Sequence, residues 1–121
     1  MNNDVSDFLP LSSATLHILL SLAADDLHGY AIMQEVSRQS GGKYKLGPGT
    51  LYDNLQKLIQ QKLVEELGRR PGDEDPRRRY YGLTSLGRGV LAAETARLAD
   101  VVREARIRLQ IARPTNARRR A

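Results

Sequence analysis

Arg69-Arg70 and Arg77-Arg78-Arg79 place five guanidinium groups in one short stretch of the chain. A guanidinium is a planar fork of donors that fits phosphate oxygens in pairs. Five like charges repel one another unless an anion neutralises them. That anion is either external or the acids between the clusters, Asp73, Glu74 and Asp75. A second set of donors stands upstream. Gly47-Pro48-Gly49-Thr50 offers a helix start without bulk, where backbone N–H groups can approach phosphate. Thr50 and Tyr52 carry hydroxyls suited to phosphate or base edges, and the Asn54 amide can pair bidentately with adenine. Lys57, a turn or two further on, suits a phosphate, and Lys45 belongs to a basic loop, Lys43-Tyr44-Lys45. The chemistry these residues offer is recognition of a polyanion.

Bond-making chemistry finds little to work with. Cysteine is absent, which removes disulfides, thiolate metal sites and cysteine nucleophiles. His17 and His28 have no second donor at metal-ligand spacing, and no nucleophile–base pair stands out. Gly47-Pro48-Gly49-Thr50 lacks the Gly-Lys-Ser/Thr of a phosphate-binding loop. No catalytic residue, cofactor or metal site is expected.

The elements that must position the donors are readable from periodicity. Ser12 or Ser13 caps a first helix with Leu16, Leu19, Leu20 and Ala23 at helical spacing, ended by Asp25-Asp26. Leu27 to Arg38 reads as a second helix with Ala31, Ile32 and Val36 inward, closed by Gly41-Gly42. Pro48 suits the first position of a third helix, in which Leu51, Leu55, Leu58 and Ile59 form one apolar stripe. The opposite face carries Gly49, Asp53, Gln56, Lys57 and Gln60, with Thr50, Tyr52 and Asn54 on its flanks. Tyr52 lies only about 75° from the stripe by helical geometry, so it is either a groove contact or a core residue. Leu63 to Arg70 and Arg79 to Thr84 read as strands joined by the turn-rich Pro71 to Pro76, a hairpin.

Thr84 or Ser85 starts a last helix running to about Arg113, before Pro114. Its span of about 42 Å exceeds what packing inside so small a domain needs. Leu91, Leu98 and Ala105 recur every seven residues, with Val90, Val101, Val102 and Leu109 beside them, a seam that calls for a partner.

The fold expected is mainly α with a small β-hairpin: a winged helix-turn-helix plus a long C-terminal dimerisation helix. The division expected is residues 1–84 for nucleic-acid binding, 85–113 for dimerisation through Leu91, Leu98, Val101, Val102, Ala105 and Leu109, and 114–121 as a disordered basic tail. Charge is uneven along the chain and suggests an anionic partner, nucleic acid first. Residues 1–37 hold five acids and neither Lys nor Arg, whereas the remainder holds all 19 basic residues against nine acids. At 121 residues the chain has the size of one domain. Its start is acidic, without the pattern of an export signal, and no apolar run approaches the roughly 20 residues of a membrane span. A cytoplasmic protein without membrane contact is expected.

Leu16-His17-Ile18-Leu19-Leu20-Ser21-Leu22 followed by His28-Gly29-Tyr30-Ala31-Ile32, then Gly49-Thr50-Leu51-Tyr52 with Leu55 and Leu58, Leu63-Val64, and Arg79-Tyr80-Tyr81-Gly82-Leu83-Thr84 with Leu86-Gly87, resemble the PadR family of transcriptional regulators. The resemblance covers about residues 10–110. It implies a winged-helix repressor, dimeric through a single C-terminal helix, acting on an inverted-repeat operator in double-stranded DNA. It departs from the family's pattern at Lys62, where many members have glycine, and at Asp53, where proline is common. Tyr30 then stands either near the DNA backbone or partly in the core, with Gly29 serving the turn; His17 reads as structural. The DNA-binding set is thus Tyr30, Lys45, Gly49, Thr50, Tyr52, Asn54, Lys57, Arg69, Arg70, Arg77, Arg78 and Arg79. The competing function is a winged-helix adaptor that binds protein. A small-molecule inducer is not readable: tryptophan is absent and no aromatic residue follows Tyr81, so a stacking site on the long helix is hard to build.

Overall fold

Ser12 caps the first helix as its position suggests, its Oγ accepting from the Thr15 N–H at 3.1 Å. In this computed structural model, which describes residues 4–68, 72, 73, 75 and 78–110, α1 spans Ser13–Ser21 and buries Ile18 and Leu19. Leu20, expected to face inward, is exposed, and Leu22 just past the helix is buried instead. Ahead of α1, a 3-10 turn at Val5–Phe8 packs against the long last helix.

The second helix begins later than its composition suggests. Leu27–His28 form a short strand, β1, and α2 runs Gly29–Gln39. His28 caps it, with Nδ1 accepting from the Ala31 N–H at 3.3 Å. α3 spans Pro48–Gln60 with proline in its first turn, and its stripe Leu51, Leu55 and Leu58 is buried. These three helices enclose the core together with Ile32, Val36, Leu46, Leu63 and Val64.

The expected hairpin is present as β2, Val64–Gly68, and β3, Tyr80–Leu83, and β1 joins it to make an antiparallel sheet of order β1-β3-β2. Leu27 pairs with Tyr81 and His28 with Tyr80, which ties the start of α2 to the wing. The β2–β3 register slips between Glu66 and Gly68, a bulge that twists the strand as it leaves for the wing tip.

The base of the wing is knitted at Lys62. Its φ of 66° is the left-handed conformation, which costs a residue with a Cβ about 1 kcal/mol. Its carbonyl accepts from Thr84 Oγ1 at 2.6 Å, and the same hydroxyl caps the next helix by accepting from the Gly87 N–H at 2.9 Å. Gly87 has a steric reason to be glycine: a Cβ there would lie 2.9 Å from the Leu63 carbonyl carbon, in fixed backbone.

That next helix, α4, spans Ser85–Leu109 and ends with Gln110 in the left-handed conformation. The expected end near Arg113 and the tail 114–121 lie outside the described residues. α4 also corrects the seam. Leu91, expected at a dimer interface, is 7% exposed and packs with Val90 in the chain's own core, so it is not free to meet a partner. Only the part of α4 from Leu98 onward leaves the body, with Val101 and Val102 about half exposed.

A buried charge on α4 holds the N-terminal segment. Glu94 is 1% exposed; its carboxylate accepts from the Leu11 N–H at 3.1 Å and from two nitrogens of Arg97 at 2.6 and 2.9 Å. Glu94 falls three residues after Leu91 and four before Leu98, on the apolar side of α4, and the heptad alone does not say that a glutamate there is buried.

Candidate nucleic-acid interface

With its apolar stripe committed to the core, α3 turns Gly49, Thr50, Tyr52, Asp53, Gln56, Lys57 and Gln60 outward. Gly47 caps the helix without a side-chain hydrogen bond. Helix geometry leaves the N–H groups of Gly49 and Thr50 without an intrahelical acceptor. A Cβ on Gly49 would meet nothing within 4 Å, so this corner is open to an approaching backbone. Lys45 is exposed in the preceding loop. The Asn54 amide donates to the Thr50 carbonyl at 2.8 Å, one turn back. Pairing with a base would require that bond to be exchanged.

Exposure speaks against the core alternative for both tyrosines. Tyr30 is 62% exposed and Tyr52 46%, so neither is a core residue. They share one cleft of about 580 Å³ with Arg78 and Arg79 of the wing and with Glu66. Four residues expected to bind DNA are therefore brought together from three elements: the first turn of α2, the first half of α3 and the wing. Lys45, Gly49, Thr50, Asn54 and Lys57 do not line that cleft. Arg69, Arg70 and Arg77 lie outside the described residues.

Internal acids partner the two described wing arginines. Arg78 meets Asp73 at 3.2 Å, and Arg79 meets Glu66 at 3.4 Å. The Tyr80 hydroxyl, ahead of the Asp75 amide and Arg78, holds the Asp73 carboxyl below its ordinary value despite the cost of burial. Asp73 is therefore an anion at neutral pH and a standing partner for Arg78. The acidic turn was visible in the sequence, whereas Glu66 was not. Its place across the sheet from Tyr81 depends on the register at the bulge.

The histidines do structural work. His28 caps α2 and sets its ring edge-on to Tyr80, with centroids 5.3 Å apart. The His17 carbonyl accepts from the Gln39 side-chain amide at 2.9 Å, and its ring lies 5.1 Å from that of Tyr44.

Three helices followed by a β-wing, with the outer face of the third helix bare beside that wing, define a winged helix-turn-helix protein. Comparison with known proteins narrows the class. The transcriptional regulator PadR-like family matches residues 18–93, and the chain belongs to that family. The transcriptional regulator Rv3488 of Mycobacterium tuberculosis is 32% identical over 93 residues, covering 77% of this chain and 82% of that protein. An uncharacterized 37.1 kDa protein in transposon TN4556 of Streptomyces fradiae is 39% identical over 88 residues, covering 73% of this chain but only 24% of that longer protein. The fold is similar to that of Bacillus subtilis PadR in complex with operator DNA. The TM-score is 0.60 at 23% identity, over 69% of this chain and 46% of that one. The family is one of transcriptional regulators, not of enzymes. Among the described residues no helix is long and apolar enough to cross a membrane.

Proposed function

We propose that this chain is a sequence-specific DNA-binding repressor that acts as a homodimer on an inverted-repeat operator. The observation that carries the reading is the meeting of Tyr30, Tyr52, Arg78 and Arg79 around one cleft beside the bare face of α3. In this reading α3 enters the major groove, with Thr50, Tyr52 and Lys57 reaching base edges or phosphates, and the wing lies along the backbone. Tyr30 and Lys45 flank the helix on the phosphate side. The operator complex of Bacillus subtilis PadR supports the DNA partner by likeness of fold.

The division of labour proposed is residues 1–84 for DNA and α4 from Leu98 for pairing with a second copy. Leu98, Val101, Val102, Ala105 and Leu109 supply the seam. A two-fold dimer would present its two α3 helices about one helical turn of DNA apart, roughly 34–36 Å, hence an inverted repeat. The natural first target is the promoter of the protein's own operon. Footprinting there, with affinity followed from low to high salt, tests the reading. A protected inverted repeat and a steep loss of affinity with salt are expected, because each phosphate contact releases counterions. Salt-insensitive or absent duplex binding would leave the α3 face as a protein-binding surface, the adaptor function.

A further inference from the structure

Gly29 opens α2, and its conformation does not explain why it is glycine. Its φ is not in the left-handed range, and the first turn of a helix accepts any residue with a Cβ. The reason lies in space. A Cβ on Gly29 would fall 2.9 Å from Cζ and 3.4 Å from Cε1 of Tyr52, and nearer still to its hydroxyl oxygen. No real Cβ approaches a carbon that closely. Gly29 is buried, while Tyr52 is nearly half exposed. The phenol of an exposed α3 side chain is thus laid across the first turn of α2 in a seat that exists only because residue 29 has no side chain.

We propose that Gly29 is a positioning residue for Tyr52. By docking the phenol on α2 it holds the hydroxyl in the cleft beside Tyr30 and the wing arginines before any DNA arrives. An exposed tyrosine without this seat would sample several rotamers, and binding would have to immobilise it. The inference rests on the DNA-binding reading above and adds to it a residue that touches no DNA itself.

The group facing Gly29 is the far end of a half-exposed side chain, so a Cβ there is accommodated by swinging Tyr52 away, with the fold kept. Gly29→Ala should therefore melt close to the parent while losing operator affinity by about two- to tenfold, the range for freezing one side chain. The double-mutant cycle with Tyr52→Ala separates the mechanisms. If Gly29 acts through Tyr52, adding Gly29→Ala to Tyr52→Ala changes affinity no further. An equal loss in both backgrounds would overturn the proposal, because Gly29 would then serve a close approach of the DNA backbone. An unchanged affinity for Gly29→Ala alone would overturn it as well.

A DNA-free measurement tests the seat by itself. The Tyr52 ring resonances, assigned by their disappearance in Tyr52→Ala, should be dispersed in the parent and collapse toward free-tyrosine positions in Gly29→Ala. Resonances that do not move would show that the ring was never seated, which ends the proposal. If the parent binds no duplex at all, the proposed function fails, and the ring resonances still decide whether Gly29 seats Tyr52.

Discussion

Tyr52 and Glu94 are the two residues whose surroundings decide what they do. Tyr52 lies beside the core stripe on α3 yet is nearly half exposed, so its loss should leave the fold intact. Tyr52→Ala is expected to cost about 1–3 kcal/mol of operator binding, the range of a good groove contact. Tyr52→Phe should recover part of that, since the ring keeps its seat on Gly29. Titration of the folded protein against operator, with melting curves alongside, checks both; a large fall in melting temperature for Tyr52→Ala would make the residue structural. Glu94 is the opposite case, a charge with almost no exposed surface. Hydrogen bonds from Arg97, and then from the Leu11 amide, hold its carboxyl below the ordinary value against the pull of burial. A lowered carboxyl contributes stability that is complete above the unfolded glutamate value of about 4.3, and it is lost as pH falls through the lower folded value. Glu94→Gln should therefore melt below the parent at neutral pH, with the gap closing in acid. A gap that stays constant from pH 7 to pH 3 would assign the effect to packing.

At the scale of elements the wing is the part whose charge state is divided. Arg78 and Arg79 each have an internal carboxylate, so under the proposed function DNA phosphate would compete with Asp73 and Glu66 for them. Arg79 and Glu66 are both well exposed, which makes their pairing weak and its replacement easy. Glu66→Gln should therefore tighten binding to random duplex as well as to operator and steepen the dependence on salt, since Arg79 is then free for phosphate. Arg78→Ala should weaken both duplexes alike and lower the salt slope by about one contact. Parallel salt plots for parent and variant would take Arg78 off the phosphates. The sequence showed the arginines and the acidic turn, because both are runs along the chain. The Glu66 pairing was out of reach, since it follows from which residues a bulged strand sets side by side.

For the whole molecule the outer part of α4 is the surface that the proposed dimer would cover. Val101 and Val102 are about half exposed there, and neither is in the core cluster of the body. Charging them should therefore spare the folded monomer. The pair Val101→Glu and Val102→Glu is expected to give monomers by light scattering, with melting of the body little changed and operator binding lost. A variant that stays dimeric would remove this seam as the interface. Leu91 cannot serve the same test, since it is buried in the chain's own core and a polar substitution there should destabilise the body itself.

What the sequence determined by itself is what depends on near neighbours. The α3 stripe of Leu51, Leu55 and Leu58, a cap at Ser12 or Ser13 and a cap at Thr84 or Ser85 each follow from a few residues in a row, and the structure contains the stripe with caps at Ser12 and Thr84. The family pattern was legible for the same reason, as short motifs in a set order. Tertiary structure alone decided the rest. Leu27–His28 become a strand only because Tyr80 and Tyr81, more than fifty residues away, offer them hydrogen bonds. Leu91 belongs to the core cluster and Leu98 does not, although both recur at the same seven-residue spacing. A heptad records which face is apolar and carries no information on whether that face meets its own chain or another. Gly29 looked like a turn residue until Tyr52 was found lying over it. A glycine's neighbours in space, unlike its neighbours in sequence, exist only after the chain has folded.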